Sequence, residues 1–367
     1  MEAKMICHLR SIRLARGLSQ GALGKLVGVK RQAIYDLEAG RYLPNTALAL
    51  RLAKVLDCTV EDLFGLEEPE RDYPVNLVGP AAPPGSRVSL AKVRESLIAY
   101  GLEGKWMLAD GLQPADGLMQ AGGVRLLQDE KYLARKALLL GCDPAFAILE
   151  AHVSRKAPDV RLQCRFASSL KALKELSAGH THLAATHLHN SGPGEANLQM
   201  ARQIITGSPF SLIAFSQFEE GLMVAPGNPL GIKTVADLVL PGLRFVNRGR
   251  GAALRLLLDE RLQQAGLLPE NISGYHQLVA SHLEGARLVA LRAADAALGL
   301  RAVAAATGLD FVPLEAVRCD LVIPHDLQDH PAIKVLLDVL QTRAWRQELA
   351  SLPGYNSSST GMIIEEL

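Results

Sequence analysis

The stretch at residues 19–41 limits what this chain can fold into more than any other part of its sequence. It reads SQGALGKLVGVKRQAIYDLEAGR and predicts two helices, Gln20–Val27 and Lys30–Ala39, joined by a glycine turn. Ser19 suits the N-cap of the first helix because its hydroxyl accepts from free backbone amides, and Gly40 suits the end of the second helix. Apolar residues recur at helical spacing and are predicted to share one core: Leu23, Leu26, Val29, Ile34 and Leu37. The pattern is that of a helix-turn-helix motif.

Polar and basic residues occupy the opposite face of the second predicted helix: Lys30, Arg31, Gln32, Tyr35 and Asp36. Long side chains with two donors, such as Arg and Gln, match the edges of guanine and adenine in the major groove of DNA. This helix is therefore predicted to be the recognition helix for a double-stranded DNA operator. On these residues alone, an ordinary pair of surface helices remains the alternative.

Residues 9–64 resemble the Xre/Cro-type helix-turn-helix domain of phage repressors and many bacterial regulators. The resemblance runs from LRSIRLARGLSQGALGKLVGVKRQAIYDLEAGR through LALRLAKVLDCTVEDLFG. It implies five helices, the last at Val60–Phe64, and a charged pair between Arg13 and Glu38. We expect this pair to fix the geometry of two helices more than to add stability.

The same resemblance implies which side chains contact DNA. It assigns a phosphate contact to Gln20 and base contacts to Arg31, Gln32 and Tyr35. Lys30 departs from the family, which usually has a capping Ser or Thr at this position. Because lysine cannot cap a helix N-terminus, Lys30 is predicted to reach a phosphate instead.

The length and charge of the chain fit a small DNA-binding domain on a larger body. A chain of 367 residues exceeds what one hydrophobic core supports, so two or three domains are expected. Residues 1–65 hold ten Lys and Arg against six Asp and Glu, a formal charge of +4. The whole chain carries +1, which leaves −3 for the other 302 residues. This asymmetry favours DNA binding through one end.

The five cysteines, at positions 7, 58, 142, 164 and 319, form no C-x-x-C pair. The sequence therefore predicts neither a zinc site nor a disulfide framework, and we expect reduced thiols. The N-terminus lacks the apolar run of a signal peptide, and no segment offers the ~18 uninterrupted apolar residues of a membrane span. The expected location is the cytoplasm, with no membrane partner.

Three parts are predicted along the chain: a helix-turn-helix domain at 1–66, a linker with a small β-rich connector at 67–132, and a ligand-sensing domain at 133–367. Prolines disfavour helices and favour a stiff linker. They occur at positions 69, 74, 80, 83 and 84. Short apolar runs broken by glycines between 87 and 128 predict the β-rich connector. A longer irregular linker is the alternative for this segment.

From about Lys136 the pattern changes to units of strand, loop and helix, which predict a parallel α/β sheet. The strands of two series are predicted at Ala137–Leu140, Arg161–Phe166 and Thr181–Thr186, then at Arg244–Val246, Ala296–Leu300 and Leu309–Pro313. Crossing strands are predicted at Leu212–Ser216, Gly221–Ala225 and Leu321–Ile323, and a closing helix at Pro331–Leu349. Two α/β lobes joined by crossing strands form a cleft at which helix N-termini converge.

Residues 136–364 resemble the periplasmic-binding-protein-type domains related to the molybdate-binding protein of ABC transporters. Matching segments include LLLGCDPAFAIL, SSLKALKELSAGHTHLAATHLHN and LRFVNRGRGAALRLLLDE. The predicted fold class is thus multidomain, with an all-α helix-turn-helix domain plus a two-lobed α/β periplasmic-binding-protein-like domain. Fusion to a DNA-binding domain implies a sensor instead of a transport component.

Together the two resemblances imply a cytoplasmic one-component transcriptional regulator that closes its cleft on a small anionic effector. The effector of first choice is molybdate or tungstate, and the alternative is a small organic anion. We expect a homodimer, because domains of this class need two half-sites about one helical turn apart to gain useful affinity. No cofactor is predicted.

Anion sites in this fold use loop amides, short hydroxyls and helix dipoles. The candidate ligand-binding residues of the first lobe are Cys142, Asp143, Ser168, Ser169 and His187. Those of the second lobe are Asn247, Arg248, Arg250, His282 and Arg301. Asp143 and the two serines have an alternative role as helix caps. Arg250 stands where relatives tend to have a proline-glycine-serine-glycine type of loop, and the extra arginines favour the organic anion.

Two H-x-H pairs, at 180–182 and 187–189, raise the question of a metal site. They flank the predicted strand Thr181–Thr186, which spans roughly 15–20 Å at ~3.3 Å per residue, so they are not expected to share one ion. An enzyme that uses Cys142 near His187 is a further alternative, since a thiol at a helix N-terminus is more easily ionised. The sequence places no base beside this thiol, so no catalytic residue is assigned.

Overall fold

The computed structural model describes residues 5–66, 71–104, 112–190 and 195–366. The chain divides into two compact units, Met1–Arg71 and Asp72–Leu367. Within the described ranges, no helix is long and apolar enough to cross a membrane.

The N-terminal unit is a helix bundle with one small sheet. Its helices are α1 Leu9–Ala15, α2 Gln20–Val27, α3 Arg31–Glu38, α4 Thr46–Leu56 and α5 Val60–Leu63. The strands β1 Met5–Cys7 and β2 Phe64–Leu66 pair antiparallel and bring the two ends of the bundle together. The predicted all-α domain is confirmed, with a two-stranded sheet added to it.

The α2–α3 pair forms for local reasons that are visible in the sequence. The Ser19 hydroxyl accepts from the Ala22 amide at 3.1 Å and caps α2. Gly28 ends α2 with a φ of 74°, a left-handed conformation that glycine adopts without strain. Lys30 stands at the N-cap of α3, and its side chain makes no capping hydrogen bond.

One predicted core residue of this pair is wrong. Leu23, Ile34 and Leu37 are buried in the core of the bundle, but Leu26 is 59% exposed. Residues four apart lie on the same face of a helix, so Val27 follows Leu23 into the core and Leu26 falls outside it.

A buried ion pair fixes α3 to α1. Arg13 Nε donates to Glu38 Oε1 at 2.5 Å, and Arg13 Nη2 donates to Oε2 at 3.1 Å. Both side chains are less than a tenth exposed. Burial alone would raise the pKa of Glu38, but the hydrogen bonds from Arg13 and Gln20 hold it below its usual value. The predicted pair thus exists, and it joins α1 to the C-terminal end of α3.

The segment predicted as a connector folds into a six-stranded sheet of described residues. Its strands are β3 Asp72–Tyr73, β4 Asn76–Val78, β5 Arg87–Val93, β6 Ser96–Gly101, β7 Gly117–Gln120 and β8 Gly123–Leu126. They lie in the order β3-β8-β7-β5-β6-β4, and a short helix, α6 Glu130–Ala134, follows them. The sheet has a small core of its own, with Val88, Leu90 and Val124 fully buried.

The rest of the second unit is a ten-stranded mixed sheet with helices packed against it. Its strands are β9 Lys136–Gly141, β10 Arg161–Phe166, β11 Leu183–Thr186, β12 Phe210–Val224, β13 Phe245–Arg248, β14 Leu278–Val279, β15 Ala296–Leu300, β16 Asp310–Pro324, β17 Tyr355–Asn356 and β18 Ile363–Glu366. Its helices are α7 Phe146–Lys156, α8 Ser169–Ser177, α9 Ala196–Ile204, α10 Ala253–Gln264, α11 His282–Ala290, α12 Arg301–Ala306, α13 Pro331–Leu340 and α14 Arg343–Ala350.

Two parallel groups of strands define the two lobes. In the first lobe β9 pairs with β10 and β11, and in the second β13 pairs with β14 and β15. The antiparallel strands β12 and β16 run through both lobes, since β16 pairs with β11 and β12 pairs with β15. The predicted architecture of two α/β lobes joined by crossing strands is confirmed.

The lengths of several predicted elements are wrong. The crossing strands predicted at 212–216 and 221–225 are one strand, β12, and the strands predicted at 309–313 and 321–323 are both parts of β16. The predicted closing helix breaks into α13 and α14, because the Thr342 hydroxyl accepts from the Trp345 amide at 3.3 Å and caps a new helix.

A buried polar contact fastens the six-stranded sheet to the first lobe. Lys136, the first residue of β9, pairs with Asp116, and both side chains are less than a tenth exposed. Lys136 also lies 3.2 Å from the hydroxyl of Ser89, which donates to Gln163 of β10 at 2.5 Å. The six-stranded sheet is therefore a fixed part of the second unit.

Candidate functional site

The predicted DNA-contacting residues of α3 share one exposed face: Lys30, Arg31, Gln32 and Tyr35. Within the described residues, the side chains of Lys30 and Arg31 make no hydrogen bond or ion pair. Gln32 donates to Asp36 at 3.1 Å, and the Arg41 guanidinium lies 5.1 Å from the centre of the Tyr35 ring. The two free cations are available to a polyanion.

Gln20 differs from the other predicted contact residues. Its Nε2 donates to Glu38 Oε2 at 2.8 Å, and the residue is half-buried. One donor of this amide is therefore used inside the bundle. The sequence prediction also missed Arg51 of α4, which is exposed and reaches the α2–α3 turn beside Gly28.

The candidate residues of the second unit follow the carboxyl ends of the lobe strands. Cys142 and Asp143 follow β9, the two serines follow β10, and His187 follows β11. In the second lobe, the 247–250 loop begins at the end of β13 and His282 follows β14. Loops after neighbouring parallel strands meet at one sheet edge, so the topology gathers most of these residues in the cleft.

The two serines of the first lobe have different surroundings. Ser169 is fully buried, and its hydroxyl accepts from the backbone amide of His187 at 3.2 Å. Ser168 is the N-cap residue of α8, but its side chain makes no capping bond. The Ser168 hydroxyl lies beside Gly251 of the second lobe. Ser169 thus positions His187, whereas Ser168 faces the opposite lobe.

Asp143 is held inside the protein. Its carboxylate accepts from the Ala145 amide at 2.9 Å, the Ser216 hydroxyl at 2.8 Å and the Tyr355 hydroxyl at 2.5 Å. Burial raises the pKa of Asp143 against the effect of these bonds. The geometry supports the structural role that the sequence left as an alternative, because the carboxylate oxygens are taken up by protein donors.

Cys142 and His187 are brought together by the parallel pairing of β9 and β11. The Cys142 Sγ lies 2.8 Å from His187 Nε2, and His187 Nδ1 lies 3.1 Å from Glu220 Oε1 in β12. Burial alone would lower the pKa of His187, but Cys142 and Glu220 raise it well above its usual value. Glu220 was not predicted from the sequence.

A second histidine contacts the same carboxylate. His189 Nε2 lies 2.8 Å from Glu220 Oε2. Burial alone would raise the pKa of Glu220, but His187 and His189 lower it to about 2. Neither contact has the angles of a hydrogen bond, so the Glu220 oxygens have no hydrogen-bond donor among the described residues. Two imidazoles thus lie close to one buried carboxylate.

Arg248 is a buried cation that lines the first of two cavities in the cleft. It is only 3% exposed, and its Cζ lies 5.2 Å from the centre of the Phe166 ring in the opposite lobe. It forms no ion pair with a described carboxylate, and its Nε has no hydrogen-bond partner in the described residues. Among the described residues, the guanidinium donates one hydrogen bond, from Nη1 to the Val279 carbonyl at 3.4 Å. Burial lowers the pKa of Arg248, although an arginine stays charged in proteins.

His282 is a second buried polar residue with an unused atom. It begins α11 and is 5% exposed, and its Nδ1 has no partner among the described residues. Burial, helped by the charge of Arg248, lowers the pKa of His282 well below its usual value. Burial thus favours the neutral imidazole, which offers one donor and one acceptor.

The other candidate residues of the second lobe have different surroundings from Arg248 and His282. Asn247 is fully buried and holds the loop, since it donates to the Tyr275 carbonyl at 3.0 Å and accepts from the Arg248 amide at 2.8 Å. Arg301 pairs with Glu219 of β12 and lies over the Phe311 ring. Arg250 is exposed, and its side chain has no partner among the described residues.

Two cavities open around these residues. The first, of about 750 Å³, has walls from both lobes and the six-stranded sheet, including Pro80–Pro83, Arg87, Gly101–Gly104, Phe166–Ser168, Lys171, Arg248–Arg250 and Val279–Ala280. The second, of about 500 Å³, lies along the loop after β9 and includes Cys142, Arg165, Ser281, His282, Val303 and Tyr355. Buried polar residues thus line both cavities, Arg248 the first and His282 the second.

The four histidines of the H-x-H pairs lie in separate surroundings. His180 contacts Glu175 at 2.7 Å, and His182 Nδ1 accepts from the Leu138 amide at 3.1 Å. His187 and His189 instead contact Glu220. Across the parts of the chain that the structure describes, no three or more His, Cys, Asp and Glu side chains are arranged to hold a metal ion.

Comparison with known proteins adds to this geometry. The chain matches two protein families, the PBP superfamily domain over residues 150–341 and the helix-turn-helix over residues 9–63. It is similar to the uncharacterized protein YvgK of Bacillus subtilis (strain 168), with 30% identity over 229 residues that cover 62% of this chain and 73% of that protein.

The N-terminal part is also similar to the uncharacterized HTH-type transcriptional regulator YgzD of Bacillus subtilis (strain 168). The two are 42% identical over 60 residues, which cover 16% of this chain and 91% of that protein. Among solved structures, the sulfate-binding protein SubI from Mycobacterium tuberculosis H37Rv aligns with a TM-score of 0.45 and 14% identity, over 60% of this chain and 86% of that chain.

Proposed function

We propose a function on one premise: this chain belongs to the PBP superfamily and carries an N-terminal helix-turn-helix domain. In this proposal the protein is a one-component transcriptional regulator. The cleft between the lobes holds a small anion, and occupancy of the cleft changes how the helix-turn-helix unit binds its operator. A ligand shifts such an equilibrium only through different affinities for two forms of the protein, so the cleft must change on binding.

The unpaired, buried guanidinium of Arg248 carries the assignment of an anion. Burying a charge is costly unless the charge is paired and hydrogen-bonded. The Nε of Arg248 has no partner in the described residues, and no described carboxylate pairs with it. A carboxylate or oxyanion would supply charge-assisted, bidentate hydrogen bonds to such a group. His282, whose pKa is lowered by burial and by the charge of Arg248, can add a donor and an acceptor.

The size of the first cavity supports an organic anion as the effector. Its volume of about 750 Å³ falls within the roughly 300–1,000 Å³ of pockets that hold drug-sized ligands. Prolines and alanines of the loop between β4 and β5 form part of its wall, and they suit an apolar body better than a bare oxyanion. We therefore propose a small organic anion, with molybdate or tungstate as the competing assignment.

The DNA side of the proposal rests on the exposed face of α3. Lys30 and Arg31 have no partner within the described residues, and Gln32 and Tyr35 stand beside them. In this proposal Arg31, Gln32 and Tyr35 read bases, while Lys30 and Gln20 contact phosphates. The protein acts as a homodimer in the cytoplasm, because one helix-turn-helix domain alone reads too short a site.

Calorimetry on the full chain tests the effector. The panel is molybdate, tungstate, sulfate, succinate and benzoate, each titrated into wild type, Arg248→Ala and Arg250→Ala. We expect a carboxylate to bind wild type, Arg248→Ala to lose this binding, and Arg250→Ala to lose little because Arg250 is exposed. Binding of molybdate and tungstate alone would establish the competing effector. Binding that Arg248→Ala leaves unchanged would contradict the site.

A further inference from the structure

We propose that Cys142 is a nucleophilic thiol site, at which a carbonyl-conjugated alkene that enters the cleft is captured as a thioether. This covalent site is separate from the proposed sensing of an anion. It uses the thiol side of the cleft, and it requires neither Arg248 nor any particular effector.

The geometry places a base and a carboxylate behind the thiol. His187 Nε2 is 2.8 Å from the Cys142 Sγ, and the other ring nitrogen of His187 is 3.1 Å from Glu220. A thiol next to a base that is itself oriented by a third group is the arrangement that activates a cysteine. Ser169 holds the His187 backbone amide at 3.2 Å, so the imidazole comes from a fixed loop.

The surroundings favour a positive charge on the imidazole beside the thiol. Glu220 is fully buried and stabilises a positive His187, whose pKa is raised well above its usual value. The ionisable groups that face the pair from the neighbouring elements are Asp143, Glu220, Arg248, His282, Cys319 and Tyr355.

A small molecule has access to the thiol. Cys142 is half-buried and lines the cavity of about 500 Å³ together with His282. Cys319 is fully buried, and burial raises its pKa. Cys58 is half-buried, and burial likewise raises the pKa of its thiol. The chain therefore contains its own controls, a half-buried thiol at Cys58 and an inaccessible one at Cys319.

The chemical step balances without another reactant. The thiol proton passes from Sγ to His187 Nε2, and the Sγ electron pair forms a bond to the β-carbon of the alkene. The π electrons of the C=C bond move toward the carbonyl and the α-carbon. The α-carbon then takes the proton back from His187 Nε2, which leaves a neutral imidazole and a thioether.

N-ethylmaleimide, a conjugated carbonyl alkene without charge, tests the site in the wild-type full chain. Labelling rates of Cys142 and Cys58 are measured by peptide mass spectrometry between pH 5.5 and 8.5. We expect Cys142 to react at least tenfold faster than Cys58 at pH 6.5 and to depend less on pH, because His187 Nε2 lies within reach of the thiol proton. The rate at Cys58 should rise about tenfold per pH unit, as for an ordinary thiol. A Cys142 rate that rises like that of Cys58, or no labelling of Cys142, would overturn the proposal.

Two variants separate activation from simple access. His187→Gln should slow Cys142 at least tenfold at pH 6.5, and Glu220→Gln should restore an ordinary dependence on pH, while Cys58 in the same molecules stays unchanged. An unchanged Cys142 rate in His187→Gln would refute the role of the base. New labelling of the buried Cys319 in a variant would show that the variant has lost its fold. In that case the pH dependence of Cys142 labelling in wild type decides whether the thiol is activated.

Discussion

The recognition helix and the cleft use the same side chain in opposite ways. Arg31 and Arg248 both lack an ion-pair partner among the described residues, but Arg31 is exposed and Arg248 is 3% exposed. Water solvates the first guanidinium, so its lack of a partner costs little and any phosphate can approach it. The second is almost fully buried, and an anion that enters the cleft is the partner that we propose for it. Burial therefore distinguishes a surface for a polyanion from a site for one ligand.

Each unit also contains an arginine whose charge is satisfied within the fold. Arg13 pairs with Glu38 inside the helix bundle, and Arg301 pairs with Glu219 of β12. These two pairs join elements that are distant in the sequence. The two paired arginines serve as controls for Arg248. Removing a paired arginine should lower the stability of the fold, whereas removing the unpaired, buried Arg248 should raise it.

Breaking the buried pair of the N-terminal unit should have the largest effect. Arg13→Ala leaves the Glu38 carboxylate buried without its cation, which we expect to cost about 3 kcal/mol of unfolding free energy. Hydrogen exchange of peptides from α1 to α3 in the full chain measures it. Arg16→Ala is the matched control, since its pair with Asp57 is exposed and should cost under about 1 kcal/mol. Equal losses in the two variants would show that burial does not separate these arginines.

Removing Arg248 should weaken anion binding by about 1.5–3 kcal/mol, the range of hydrogen bonds to charged groups. The same change should raise the melting temperature of the ligand-free protein, because a buried charge without a partner is lost. Arg301→Ala should instead lower the melting temperature, since it leaves Glu219 unpaired. Thermal unfolding of both variants measures the difference, and a lower melting temperature in Arg248→Ala would contradict the comparison.

On the exposed side, Arg31→Ala should cost about 1–3 kcal/mol on an operator selected from random DNA and little on unrelated DNA. Arg51→Ala should instead weaken both complexes equally and reduce the salt dependence of binding by about one unit of slope. Fluorescence anisotropy at several salt concentrations measures both. Equal loss on both DNAs for Arg31→Ala would make Arg31 a phosphate contact.

The smallest effect is expected at Ser169. Ser169→Ala removes the acceptor of the His187 amide and should weaken anion binding by about 1 kcal/mol, the contribution of one hydrogen bond. Ser168→Ala is the neighbouring control, because the Ser168 side chain makes no capping bond. A larger loss in calorimetry for Ser168→Ala would assign the ligand contact to Ser168.

The sequence predicts the architecture well because alternating strands and helices leave a clear pattern. Cys142, His187 and Arg248 could be proposed because loops after parallel strands converge. Glu220 could not, since it lies within a long strand and only the pairing of β12 places it beside His187. The partners of Asp143 and Arg301 lie far along the chain, so the sequence does not show that these charges are already satisfied. The strands of the six-stranded sheet are short, so each of them carries only a weak pattern in the sequence.

The central claim is that an anion at Arg248 controls DNA binding. Its most direct test is the affinity of the full chain for a selected operator, with and without whichever panel anion binds in calorimetry, in wild type and Arg248→Ala. We expect the anion to change the wild-type Kd for the operator. Arg248→Ala should keep the ligand-free Kd and lose the response. A response that persists in Arg248→Ala, or a wild-type Kd that stays constant while the anion is bound, would contradict the claim.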